Sequence, residues 1–330
     1  MTTQPLPPAP STLFGATGTP AFGMYEGIIP SLDWGPLALP SARRLTRRLH
    51  HKRWQYAAVS HDAFFLGMAV VDAGWTSAAF AYLFDYASGA VAASLSLDGI
   101  PFMPVRIDKA SFGDARFERA KRVIAMQRRG SMLELVIRSE ALRLDAAIEL
   151  AGMPPVLASI APANWAAHAT LKTGALPAQG TVTAGDRQWR FDKASASLDR
   201  SDGLLARTTA WRWASAHRPG LGFNLQEGYM GDAENALWLD NRLYRLAAAT
   251  FGFDAGDPLA PWTVRTADGL LDLVFEPCGA RHENRDFFVA ASRYVQPVGH
   301  FHGTVRDPLS GRTLSVDRLA GVTEDHEARW

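Results

Sequence analysis

Apolar residues along this chain recur mainly at a spacing of two. Leu142, Leu144, Ala146, Ile148 and Leu150 alternate with Arg143, Asp145, Ala147 and Glu149, the pattern of a strand with one face on a core. The same reading predicts strands at 54–60, 64–72, 76–86 and 91–97. Turn chemistry at Ser88-Gly89, Asp98-Gly99-Ile100-Pro101, Arg129-Gly130 and Gly152-Met153-Pro154-Pro155 spaces them as successive antiparallel neighbours. Beyond a connection rich in Pro, Gly and Ala at 152–187, strands resume at 188–192, 205–215, 221–228, 236–239, 242–253, 270–275, 287–295 and 299–305, with hairpin turns at Asp240-Asn241 and Asp268-Gly269. No long segment carries a helical stripe.

The expectation is a mainly β protein of two linked antiparallel barrel-like halves, 41–200 and 201–330, behind an irregular arm at 1–40. The arm is set by Pro5, Pro7, Pro8, Pro10, Pro20, Pro30, Pro36 and Pro40, since proline cannot donate to a ladder. Trp34 and Phe22 favour an arm that wraps the body. An echo, Arg106-Ile-Asp-Lys-Ala-Ser111 against Arg190-Phe-Asp-Lys-Ala-Ser195, hints at equivalent places in two duplicated halves.

A length of 330 residues with 47% hydrophobic and 20% charged residues is ample for two cores. The 34 basic and 33 acidic residues nearly cancel, so no global field favours nucleic acid. Cys278 is the sole cysteine, which excludes an intrachain disulfide and fits a reducing compartment. The first ten residues lack the charged and apolar regions of a secretory signal, and no stretch has the length of an integral membrane segment. The expected location is cytoplasmic.

Several chemistries lose weight by inspection. Gly220-Leu-Gly222-Phe-Asn-Leu225 lacks the third glycine and the βαβ setting of a dinucleotide site. There is no phosphate loop, nucleophile elbow or His-Glu-x-x-His helix, so no cofactor is called for. His300 and His302 share a strand face, but surface histidines are the commoner reading than metal ligands. Cys278 reads as a small packing residue rather than a nucleophile. The run Arg43-Arg44-Leu-Thr-Arg47-Arg48-Leu-His-His-Lys52-Arg53 is dense enough in charge for a phosphate or an anionic lipid head, and is read first as a solvated approach to the first strand. Asp62, Asp72 and Asp85 stand at strand ends, where aspartate serves turns; Asp85 is kept as a third-ranked acid.

The richest segment runs from Trp211 to Trp238. Strand parity puts Trp211 and Trp213 on one face, and Asn224 with Gln226 opposite a row of Phe223, Leu225, Glu227 and Tyr229. A carboxylate in an apolar row either has a raised pKa and donates protons, or forms a buried ion pair with Arg212, Arg190 or Arg53. Glu234 and Asn235 follow Gly228 and Gly231 as a loop over a barrel mouth.

These residues resemble the family called domain of unknown function 2804, through His51-Lys-Arg-Trp-Gln-Tyr56, Asp72-Ala-Gly-Trp75, Phe80-Ala-Tyr-Leu-Phe-Asp85, Trp211-Arg-Trp-Ala214, Gly222-Phe-Asn-Leu225, Glu234-Asn-Ala-Leu-Trp238 and Thr323-Glu-Asp-His326. The family is similar in turn to tandem lipocalin-like proteins, a group that includes carotenoid hydratases and cyclising enzymes. That resemblance implies two calycin-type barrels with an apolar ligand inside or between them. The expected function is binding of a hydrophobic small molecule, a lipid or isoprenoid. If catalytic, the chain is expected to run an acid-catalysed hydration, isomerisation or cyclisation with Glu227, Glu234 or Asp85 as the acid. Trp211, Trp213, Asn224, Tyr229, Asn235 and Trp238 would contact the ligand. The alternative is a non-catalytic lipocalin-like carrier or interaction module.

Overall fold

The computed structural model describes residues 5–103, 105–163, 165–286 and 291–330. The first part of the expected strand at 287–295, residues 287–290, lies outside the described residues, as do residues 1–4 of the arm.

The first half of the chain runs β1 (Gly23–Glu26), α1 (Ser41–His50), β2 (His51–His61), β3 (Phe64–Asp72), β4 (Ser77–Asp85), β5 (Ala90–Asp98), β6 (Arg106–Ile107) and β7 (Ala115–Arg119). It continues through β8 (Arg122–Arg129), β9 (Met132–Arg138), β10 (Leu142–Glu149), β11 (Leu157–Pro162), β12 (Ala167–Ala184) and β13 (Arg187–Leu204). The rest is β14 (Thr208–Arg218), β15 (Leu221–Gly228), β16 (Ala236–Leu239), β17 (Arg242–Arg245), β18 (Ala249–Gly252), β19 (Trp262–Thr266), β20 (Leu271–Asp286), β21 (Ala291–Arg306) and β22 (Thr313–Arg329).

These strands form two curled antiparallel half-barrel sheets. The first has the order β5-β4-β3-β2-β13-β12-β10-β9-β8-β7-β6, with β11 and β1 continuing from β12; the second has the order β17-β16-β15-β14-β22-β21-β20-β19-β18. The two sheets meet at the chain between Leu204 and Thr208. Among the described residues, α1 is the only α-helix, formed where the sequence reading placed an irregular approach; none of its residues is buried, which is why no apolar stripe announced it.

Two further expectations are corrected. The connection expected at 152–187 contains β11 and the 18-residue strand β12. Pro177 is tolerated there because β12 pairs with β11 only through Lys172 and with β10 only from Ala178, so the proline falls where the strand changes neighbours. Both copies of the hexapeptide echo lie in the first sheet, at β6 and in β13, so they do not mark equivalent places in the two sheets.

Each sheet curls around its own core. Leu13, Ile29, Leu32 and Trp34 of the arm close the first one, and the indole of Trp34 donates to the carbonyl of Asp202 at 2.9 Å. Phe22 stays exposed. The central strands are apolar on both faces: Ala57, Val59, Leu66, Met68, Val70, Ala81 and Leu83 fill the first core, while Tyr56, Ala58, Phe65, Ala69, Tyr82 and Phe84 face Val298, Val322 and Trp213 of the second sheet. Such double burial explains the near-continuous apolar runs at 64–71 and 78–84. The back-to-back packing of the sheets positions the candidate site.

Candidate active site between the sheets

A cavity of about 140 Å³ lies between the two sheets. The first sheet supplies Trp54, Tyr56, Val71, Phe80, His168, Lys172 and Asp199; the second supplies Trp211, Trp213, Gln226, Tyr294, Glu324 and His326, with Tyr229, Glu234 and Trp330 at its margins. Strand parity accounts for the wall. In β14 and β15, Ala214, Phe223 and Leu225 turn into the second core, so their alternates Trp213, Asn224 and Gln226 turn toward the first sheet.

Two polar clusters serve the wall. In the first, the Lys172 ammonium pairs with the Asp199 carboxylate and, at 3.2 Å, with Glu234. All three side chains are buried or nearly so. Burial works against the Lys172 ammonium, yet Asp199 and Glu234 outweigh it and hold its pKa above the ordinary lysine value. Burial, reinforced by Glu234, raises the Asp199 carboxyl against the pull of Lys172. Two carboxyl groups thus share one cation, and Asp199 is the one whose proton burial helps to retain.

In the second cluster, Glu324 accepts from the indole of Trp211 at 2.8 Å and from Gln296 at 2.9 Å. Gln296 in turn accepts from the Tyr82 hydroxyl. His326 lies 3.7 Å from Glu324, stands edge-on to Trp211 and bonds the Ser292 hydroxyl at 2.9 Å. Arg281 lies beneath Phe80 and Tyr294, 4.3 and 5.0 Å from their ring centres.

The wall also carries unsatisfied polar atoms. Among the described residues, the Tyr56 and Tyr229 hydroxyls and His168 Nε2 are buried without a hydrogen-bond partner. Burial raises both phenols above their usual range, so they are neutral donors. It lowers His168 to about 4, with Lys172 adding to the effect, so the imidazole is neutral. A buried polar group without a partner costs free energy, and a ligand's oxygen or nitrogen would relieve it.

The predicted site residues distribute unevenly around this cavity. Glu234, Trp211, Trp213 and Tyr229 line it. Asn224 is one step behind, accepting from the Trp213 indole at 2.7 Å and donating to the Glu234 carbonyl at 2.8 Å. Asn235 is wholly buried, accepting from the Gln226 amide at 2.7 Å and donating to the Ala247 carbonyl, which makes it a brace for the loop. Trp238 donates to the Pro155 carbonyl and packs on His217, away from the cavity wall.

Glu227 departs from its expected setting. Its row is apolar at Phe223 and Leu225, but the strand has reached the rim by position 227. There Glu227 pairs with Arg212 at 3.0 Å, 33% exposed. Tyr229 also leaves that row: Gly228, at φ +107, breaks the alternation and returns the tyrosine to the cavity. Asp85 is absent from the wall as well. It pairs with Arg187 at 2.7 Å, caps the turn through Ala87, and has its pKa lowered chiefly by Arg187. Asp72 is held by Arg53 at 2.8 Å.

Lys172, Asp199, His168, Glu324 and Tyr56 were missed as site residues. The first three lie in the stretch read as a connection and its continuation; a lone lysine inside the run Ala166 to Leu176 was the available signal. Glu324 and His326 lie within the stretch Thr323 to His326 that carries the family resemblance, where Glu324 reads only as a carboxylate that could join His300 and His302 on a metal and His326 carries no expected role. Among the described residues, no group of three or more His, Cys, Asp or Glu side chains is placed to hold a metal ion. His302 instead pairs with Asp317 at 3.1 Å, and Cys278 is free and exposed.

Two solved structures share this architecture. A provisionally named AttH from Nitrosomonas europaea aligns over 92% of this chain and 99% of its own, with a TM-score of 0.56 and 13% identity. Kievitone hydratase from Nectria haematococca aligns over 91% of this chain and 95% of its own, with a TM-score of 0.54 and 9% identity. At such identities the likeness establishes the lipocalin-like tandem-barrel fold. No functionally curated protein matches the sequence. The family model for domain of unknown function 2804 matches residues 7–330, and the chain belongs to that family.

Proposed function

We propose that the cavity between the sheets binds an apolar small molecule bearing polar substituents and adds or removes water by acid catalysis. The carrying observation is the buried cluster of Lys172, Asp199 and Glu234 opening onto an aromatic wall. A carrier needs only apolar surface, whereas burying two carboxyl groups against one ammonium is costly, a cost characteristic of sites that use a perturbed acid.

In the hydration direction, the carboxylic acid of Asp199, its pKa raised by burial and by Glu234, gives its proton to one carbon of a double bond, whose electron pair forms the new C–H bond. Positive charge develops on the neighbouring carbon, where the faces of Trp211 and Trp213 stabilise it. Water adds there, and its surplus proton passes to a carboxylate, Glu324 or the ionised Asp199 and Glu234 pair. Loss of a proton without water addition gives isomerisation; attack by a second double bond moves the charge to another carbon, and loss of a proton from beside it to a carboxylate completes a cyclisation. The tandem-barrel likeness to a kievitone hydratase is consistent with this chemistry.

Volume limits the substrate. Cavities of roughly 150 Å³ hold a molecule the size of benzene, so about 140 Å³ takes one ring or a short branched chain. A long isoprenoid or acyl chain would leave most of its length outside. Small molecules extracted from the protein purified from its own host, and identified by mass spectrometry, supply candidates. Incubated in oxygen-18 water, a true substrate gains the label. Asp199→Asn and Glu234→Gln should each slow that exchange at least about 100-fold while binding persists; unchanged exchange in both would remove the assignment of the acid, and binding with no exchange in the wild type would leave the carrier reading.

A further inference from the structure

We propose that the face formed by α1 and the loop 99–103 docks on a bilayer containing anionic lipid and presents the cavity to it. The helix has no buried residue. Its Leu45 and Leu49, four apart and therefore on one side, are 89% and 45% exposed. Beside them, Ile100, Phe102 and Met103 are also exposed, Phe102 at 61%. Scattered exposed leucines mean little; five large apolar side chains on two adjoining segments make a patch.

Contacts tie the segments together. Arg48 donates to the carbonyls of Gly74 and Phe102, at 3.1 and 2.8 Å, and its guanidinium lies 5.8 Å from the Phe102 ring centre. Phe102 sits at φ +65, a conformation bulky side chains avoid, and its N–H donates to the Trp75 carbonyl at 2.7 Å. An aromatic ring held exposed in a disfavoured backbone conformation suits insertion into an interface.

Charge selects the occupant. Arg43, Arg44, Arg47 and Arg48 lie in α1, and no Asp or Glu occurs from Trp34 to Arg53 or from Gly99 to Ile107. Arg43 and Arg47 reach back to Trp165, Leu37 and Trp34, while Arg44 and Arg48 stand beside Leu45, Leu49 and Phe102; cations next to exposed apolar side chains match an acyl boundary under anionic headgroups. Position supplies the purpose: Leu49, His50, Trp75, Phe102, Arg207 and Trp330 line a surface recess, and Trp330 also lines the cavity between the sheets. An apolar substrate dissolved in the bilayer would thus meet the cavity margin directly.

Co-sedimentation of the full chain tests this with two vesicle preparations, pure phosphatidylcholine and phosphatidylcholine with about a third phosphatidylglycerol. The expected result is sedimentation with the anionic vesicles alone, weakened about ten-fold or more by Arg44→Glu and comparably by Leu45→Glu and Phe102→Glu. Leu45→Glu leaves the thermal melt unchanged, because the side chain touches solvent. Absence of sedimentation overturns the proposal. So does loss with Arg44→Glu alone, which would mark a site for soluble polyanions. The readout requires no turnover, so its failure is separate from failure of the hydration chemistry.

Discussion

Lys172 carries a tight electrostatic constraint. Its ammonium is balanced by Asp199 and Glu234, and removing it strands two buried carboxyl groups. Lys172→Met should therefore cost about 3–5 kcal/mol, read as a shift of the urea midpoint at neutral pH, with partial recovery on acidification as the carboxyl groups take up protons. Glu227→Gln, by contrast, breaks a rim pair with Arg212 and should change stability by less than about 1 kcal/mol. His168 sets a separate pH dependence. Burial lowers its pKa from 6.5 to about 4, so between those values the unfolded chain binds a proton that the folded chain refuses. This contribution is full above about pH 6.5 and declines as the pH falls toward 4, by on the order of 3 kcal/mol. Denaturant midpoints across that window should fall in the wild type and fall less in His168→Gln.

At the scale of elements, short conformational devices aim the side chains. Gly228 ends β15 at φ +107, and a Cβ there would lie 2.7 Å from the Ala210 carbonyl oxygen. Gly228→Ala should cost about 1–3 kcal/mol and displace Tyr229 from the cavity wall, which a crystal structure or the loss of ligand-induced tyrosine shifts would report. The long strand β12 works by exchange of neighbours. Its first part, which bears His168 and Lys172, pairs with β11, and its last part pairs with β10. A strand that serves two neighbours presents polar residues to the cavity at one end and closes the first core at the other.

At the scale of the whole molecule, the two sheets share an apolar seam of Phe65, Tyr82, Phe84, Val298 and Val322, flanked by the cavity. Neither sheet can expose that face to water without loss. Unfolding followed by circular dichroism and by tryptophan fluorescence should therefore coincide in one transition, and two separated transitions would show that the seam does not couple the halves. The arm belongs to the same unit. Trp34 is buried in the first core and hydrogen-bonded to Asp202, so Trp34→Ala should lower stability by about 3–5 kcal/mol.

The sequence alone determined the mainly β class, the two-part antiparallel architecture and which residues of a regular strand share a face, because alternation with period two is a local property: Trp211 and Trp213 share a face whatever the fold. It determined the hairpin at Asp240-Asn241 too, since both residues adopt the positive φ that such turns require. Only the tertiary structure decided which face meets what. Parity separates Glu227 from Gln226 but does not say that one row ends at a rim and the other at a second sheet. Nor does it bring Lys172, Asp199 and Glu234 together: Lys172 and Asp199 face each other in the β12–β13 hairpin, whose register depends on strands with no clear alternation, and Glu234 reaches them from the loop between β15 and β16. The helix α1 escaped notice for a related reason: amphipathic patterning records burial against the same chain, and this helix buries nothing.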